Sequence, residues 1–138
     1  MKTYSITDTG ILREMNQDYF FASDEPVGNL PNLYIVADGM GGHKAGDYAS
    51  RYTTQRIVAS VSRSSGEEPV TILKEAITTA NRLLITEAAE DEAKKGMGTT
   101  LVAATIIDGR LYVANVGDSR LYIICLLYTS PSPRDMRR

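Results

Sequence analysis

Cysteine is nearly absent from this chain: the one residue, Cys125, excludes an internal disulfide and any thiolate metal cluster. No apolar run is long enough to cross a bilayer. The first residues, Met1-Lys2-Thr3-Tyr4-Ser5-Ile6-Thr7-Asp8, lack the apolar centre of a secretory signal. Positive charge is not in excess either. The formal net charge is −2, so no basic field advertises nucleic acid or an anionic membrane. Internal repeats are missing, and Gly41-Gly42-His43-Lys44 lacks the Gly-Lys-Ser/Thr ending of a Walker loop. These absences set the expectation of a cytoplasmic protein with no nucleic-acid partner and no membrane in this segment. What is present suits one soluble domain. The 138 residues are 43% hydrophobic and 23% charged, enough to bury a core without disulfides or a structural metal.

Strand patterns open the chain at 4–7, 18–22 and 33–37. Ala45, Ala49, Thr53, Ile57 and Val61 recur at every fourth position and predict a helix over 45–63, with Tyr48 and Tyr52 widening the stripe. Pro69, with acids just ahead of it, suits the first turn of a second helix. That helix aligns Leu73, Ala76, Ile77, Ala80, Leu83, Leu84 and Ala88 on one face and is closed by Gly96. Strands over 99–107 and 110–116 flank Asp108-Gly109, a favoured two-residue hairpin turn. Both faces of these strands are largely apolar, which predicts cover on both sides. A last strand is expected over 121–124. Both helices read as scaffold, which leaves the chemistry to the polar clusters between elements.

The richest cluster follows Leu33-Tyr34-Ile35-Val36-Ala37, where an apolar run ends in Asp38 and Gly39-Met40-Gly41-Gly42-His43 comes next. This order reads as a buried strand that delivers Asp38 to a sheet edge. The glycines let the backbone turn sharply and come close to whatever Asp38 holds. A carboxylate beside bare carbonyls suits a hard divalent cation, although the same wording also describes an ordinary strand-to-helix turn. Arg13 with Asn16-Gln17-Asp18, and Asp118-Ser119-Arg120, are further clusters beside strands. Asp18, Asp38 and Asp118 could meet at one sheet end as an oxygen-rich site for Mg²⁺ or Mn²⁺. Two ions sharing a carboxylate would hold a water, lower its pKa and aim it at a phosphorus. Arg13 would then grip the phosphoryl oxygens. Taken singly, Asp118 also fits the cap of a bend and Arg13 a surface arginine.

The blocks are more specific together. Thr7-Asp8-Thr9-Gly10, Arg13, Asn16-Gln17-Asp18, Val36-Ala37-Asp38-Gly39-Met40-Gly41-Gly42-His43, Gly46, Ala49-Ser50, Gly98-Thr99-Thr100 and Val116-Gly117-Asp118-Ser119-Arg120 occur in order. This pattern resembles the metal-dependent Ser/Thr protein phosphatases, the type 2C or PPM family, and its Met-Gly-Gly-His wording resembles their bacterial branch. The resemblance implies an α+β fold, a four-layer α-β-β-α sandwich, here truncated. It implies that Asp38 bridges two Mn²⁺ or Mg²⁺ ions, with the Gly39 carbonyl on one of them. Asp18 would orient metal-bound water, Arg13 would bind the substrate phosphate, and Asp118 would help hold a third, looser metal. The implied activity is hydrolysis of phosphoserine and phosphothreonine in proteins, without a phosphoenzyme, opposite a Ser/Thr kinase. The competing reading is a non-catalytic phosphatase-like module that binds partners or sits in a regulatory protein.

Three departures qualify the resemblance. Gln17 stands where many relatives carry Glu, and a neutral amide holds a cation more weakly. Met40 occupies the position that is a catalytic histidine in some relatives, so His43 does not inherit that role and reads as structural. The family's further metal aspartates, from its second half, do not appear. Cys125-Leu126-Leu127-Tyr128-Thr129-Ser130-Pro131-Ser132-Pro133-Arg134-Asp135 resembles a translated sequencing-library adapter. The expectation is therefore an N-terminal part of a PPM-type phosphatase domain over 1–124 and a non-native tail over 125–138. Asp135 lies in that tail and does not fill the gap. The chain as written is expected to be inactive or nearly so.

Overall fold

The computed structural model describes residues 18–41, 45–117 and 120–127. Five strands form one antiparallel sheet in chain order: β1 (Asp18–Ser23), β2 (Leu33–Met40), β3 (Gly98–Ile107), β4 (Arg110–Gly117) and β5 (Arg120–Leu127). Two helices, α1 (Ala45–Ser62) and α2 (Pro69–Glu90), lie in the connection between β2 and β3 and pack together on one face of that sheet. The expected strand over 4–7 falls outside the described residues.

The core follows from the two periodicities. Leu33, Ile35 and Ala37 alternate inward along β2 and meet Leu101 and Ala103 of β3 and Ala114 of β4. From above, α1 contributes Ile57 and Val61, and α2 contributes Ile72, Leu73, Ala76, Ile77 and Ala80. Each fully buried Leu or Ile contributes about 1.5–3 kcal/mol. All five residues of the predicted α1 stripe are buried, joined by Gly46, Ser50 and Thr54. On α2, Ile72 joins the predicted face, while Leu83 and Ala88 sit half-buried at its margin.

Helix α1 is seated almost backbone to backbone. A Cβ placed on Gly39 would overlap the Gly46 carbonyl of α1, and one on Gly28 would overlap the Val61 carbonyl at the other end. Gly28 also has φ +56°, a conformation that glycine adopts without strain. Gly39 therefore serves the helix as well as the loop that follows it.

Below the sheet end opposite Asp38, Asn32 ties the entry of β2 to β3. Its Nδ2 donates to the Ile106 carbonyl at 2.9 Å, and its Oδ1 accepts from the Ile106 amide at 2.7 Å. The Thr105 hydroxyl shares its proton between the Asn32 carbonyl at 2.7 Å and Oδ1 at 3.0 Å. Asn32 and Thr105 are both buried, which raises the cost of breaking either contact.

Several boundaries differ from expectation. Strand β2 does not stop at Ala37 but runs through Asp38 and Gly39 to Met40, because β3 supplies ladder partners as far as Gly98. Helix α2 ends at Glu90, ahead of Gly96. Asp91 accepts from the Ala93 amide at 2.9 Å and starts a separate 3₁₀ turn, Glu92–Lys94. The Asp108-Gly109 turn has φ 49° and 77°, the left-handed pair that its wording predicts. Strand β5 continues to Leu127, three residues past its expected end at 124, with Leu127 paired to Arg110.

The expectation of cover on both sheet faces needs correction for the described residues. On the face away from the helices, Val36 is 60% exposed, Ile124 55% and Val102 43%. The described residues build one α layer and one β layer of the expected α+β sandwich. Gly39→Ala should lower the unfolding free energy by about 2–3 kcal/mol through overpacking, and Asn32→Ala by about 2–3 kcal/mol through buried groups left unpaired. Gly117→Ala, where a Cβ would meet nothing within 4 Å, should stay within about 0.5 kcal/mol. Urea unfolding of the three variants checks this ranking.

Candidate functional site

Burial of Leu33, Ile35 and Ala37 leaves Asp38 no choice of face: the next odd step in a two-residue repeat points away from the helices. The ladder then brings it company. Asp18, the first residue of β1, is the direct partner of Asp38, and Thr100 of β3 is its partner on the other side. Asp18, Asp38 and Thr100 form one row across three strands. Asp38 is exposed and Asp18 half-buried.

Like charges directly opposite each other in a ladder repel, so this end of the sheet is arranged to favour a cation. The backbone under Asp38 is held firmly. Its carbonyl accepts from the Thr99 hydroxyl at 3.0 Å and lies 3.5 Å from the Thr100 hydroxyl. Thr99 also donates toward the Thr100 carbonyl at 2.8 Å. Gly39 is buried, paired with Thr99 and pressed against Gly46. Among the described residues the donors named at this end are all oxygens, the type that Mg²⁺ and Mn²⁺ take.

Of the residues singled out in the sequence, Asp18, Asp38 and Gly39 come together. Arg13 and Asp118 lie outside the described residues, as do Asn16, Gln17 and His43. Their described neighbours Asp18 and Gly117 both sit at this end of the sheet, since Gly117 follows Val116, the partner of Leu101. Among the described residues no group of three or more carboxylate, histidine or cysteine side chains gathers as a metal site. The roles of Thr99 and Thr100 were not visible from spacing alone. Their signal was membership of the Gly98-Thr99-Thr100 block, which did not say what the hydroxyls hold.

A profile of the protein phosphatase 2C family matches residues 12–125. The chain belongs to this family. Over 122 residues it is 38% identical to the serine/threonine phosphatase stp of Listeria monocytogenes, covering 86% of this chain and 48% of that protein. It is 32% identical to the serine/threonine protein phosphatase PstP of Mycobacterium tuberculosis, covering 86% of this chain and 22% of PstP. The crystal structure of Stp1 from Staphylococcus aureus aligns with a TM-score of 0.71 at 32% identity, over 86% of this chain and 50% of that one. The catalytic domain of PstP, solved with two manganese ions, aligns with a TM-score of 0.68 at 28% identity, over 85% of this chain and 51% of that one. This protein phosphatase 2C chain thus spans about half the length of the stp relative and of the Stp1 structure.

A groove of about 660 Å³ opens between α2 and the sheet, with Met40, Ile77, Leu84, Met97, Thr99 and Leu121 in its wall. On the outer sheet face, the Tyr34 hydroxyl donates to Asp24 Oδ1 at 2.7 Å. Burial, then that hydrogen bond and the Asp24 charge, push the phenol up to about 12. Tyr34 therefore stays neutral at any working pH and offers no base to the site. Because its folded value is raised, the bond's stabilisation is whole below pH ~10 and is lost as pH climbs through ~12. Ultraviolet titration of the tyrosines should show one late-ionising phenol that disappears in Tyr34→Phe.

Proposed function

We propose that the protein to which this chain belongs is a metal-dependent protein serine/threonine phosphatase, acting on phosphoserine and phosphothreonine in proteins. The observation that carries this reading is the register that seats Asp18 against Asp38 at the sheet end, inside the matched family region. The donor set fits divalent ions: two facing carboxylates, the neighbouring Gly39 and hydroxyls that fix the Asp38 backbone. Asp38 and the Gly39 carbonyl would hold two Mn²⁺ or Mg²⁺ ions, with Asp118 beside a third. When bound, such ions neutralise phosphoryl charge and make a water acidic enough to attack phosphorus.

The chain's own residues do the rest. Asp18 would accept a hydrogen bond from the attacking water and so turn its lone pair toward phosphorus. Arg13 presents a planar fork of donors to two phosphoryl oxygens and keeps the group in line. Thr99 and Thr100 hold the Asp38 backbone still, so the carboxylate does not have to reorganise during the reaction. A Ser/Thr kinase supplies the substrates, since only phosphorylated side chains satisfy Arg13 and the ions together.

Residues 1–124 form the N-terminal part of the phosphatase domain in this reading, with 125–138 a non-native tail. The family match that stops at residue 125 supports this boundary. An apolar triplet such as Cys125–Leu127 extends an exposed edge strand whatever its origin. Among the described residues too few carboxylates gather to complete a two-ion site, and the chain as written is expected to turn over negligibly. In melting experiments on this chain, Mn²⁺ at about ten times its Kd should add ~1.4 kcal/mol. That gain should vanish in Asp38→Asn and persist in Glu75→Gln, a change on the exposed side of α2. An equal gain in Asp38→Asn sinks the assignment. In the chain extended to the length of its relatives, phosphopeptide hydrolysis should fall by on the order of 10²–10³ in Asp38→Asn. Undiminished turnover there removes Asp38 from the chemistry.

A further inference from the structure

On the helix side of the sheet, the groove beside α2 deepens into a small cavity. Ile77, Asn81, Leu84, Thr99 and Val116 belong to both walls, and Thr53 of α1 and Leu101 of β3 close the inner end. The cavity measures about 20 Å³. One water molecule needs roughly 10–15 Å³ counted in this way, so there is room for one and not for two. The wall is not uniformly apolar. Thr53 is 5% exposed, and its hydroxyl meets no hydrogen-bond partner among the described residues. A buried hydroxyl left in that state is costly, and native interiors satisfy nearly all such groups. Thr99 and Asn81 bring two more polar groups to the same space. The single proton of the Thr99 hydroxyl serves the Asp38 and Thr100 carbonyls, which leaves its oxygen lone pairs to accept.

We propose that this cavity is the binding site of one structural water, which joins both helices to the strand that holds Asp38. The Thr53 hydroxyl donates to the water, and the water's two protons go to Thr99 Oγ1 and Asn81 Oδ1. A buried water with three such partners is fully engaged. The bonds then run one way, from Thr53 through the water to Thr99 and on to the Asp38 carbonyl, and each strengthens the next. Thr53 is in this way a positioning residue for Asp38, acting from inside the core. The inference rests on the cavity and the unpartnered hydroxyl, not on the proposed activity. Thr54 supplies the contrast. Its hydroxyl is also buried and without a partner among the described residues. One step along a helix turns a side chain by about 100°, and Thr54 lies in neither wall.

Nuclear Overhauser spectra of the full 138-residue chain in metal-free buffer test the site directly. A long-lived water should contact the Thr53 and Leu101 methyls, and the Leu101 contact should vanish in Thr53→Val. The Asp38 carbonyl-carbon resonance should move upfield in Thr53→Val and hold its place in Thr53→Ser, which keeps the hydroxyl. In urea, Thr53→Val should raise the unfolding equilibrium constant by roughly 10-fold. Thr54→Val should leave that constant unchanged or lower it. If Thr53→Val does not fold, the wild-type water contacts decide alone. The absence of a long-lived water at Leu101 in the wild type overturns the inference. So does a Thr53→Val chain as stable as the wild type or more so, the signature of a dry cavity in which the hydroxyl was only a cost. An Asp38 resonance that ignores Thr53→Val, or an equal loss of stability in Thr54→Val, overturns it as well.

Discussion

The near contact of strand β2 with helix α1, backbone against backbone at Gly39 and Gly46, is the constraint on which the rest of the structure leans. Two glycines let the helix start close above the strand end. From there its stripe of small residues, Ala49, Ser50 and Thr53, keeps it low on the sheet until Ile57 and Val61 fill the wider space. With α1 seated, Leu33, Ile35 and Ala37 have a fixed side to face, and Asp38 is driven to the other. The acidic row is in this sense a product of packing on the opposite side of the same strand.

That dependence explains what was legible beforehand. The α1 stripe could be read at once because a helix buried on one face repeats every fourth residue, and all five members are buried. Asp108-Gly109 announced its hairpin because few residue pairs accept two left-handed backbones in succession. Asp18 and Asp38 could be placed at one sheet end from their strand-flanking positions, but not directly opposite each other. Register depends on pairing between strands, and no local pattern in 18–23 reveals which residue of 33–40 it will meet. The tie made by Asn32 was invisible for the same reason: its partners, Thr105 and Ile106, are remote in sequence.

The reading of both sheet faces as covered was right about chemistry and wrong about the described structure. Apolar residues on both sides record a strand suited to the middle of a layered domain. The layer itself must come from somewhere, and among the described residues it does not come from this chain. Family membership and the half-length match explain this mismatch without any change in the reading of the strands.

Both helices are inserted between two strands that are neighbours in the sheet, with Met40 pairing to Gly98 across the whole helical segment. This placement has a consequence for the order of events as the chain folds. The β3–β4 hairpin closes over two residues, whereas β2 must find β3 from far away. Closing a long flexible loop costs about 0.6 kcal/mol more for each doubling of its length. A loop already collapsed into two packed helices is effectively much shorter. The α1–α2 pair therefore acts as the chain's own splint, lowering the entropy cost of closing the β2–β3 ladder that carries Asp38.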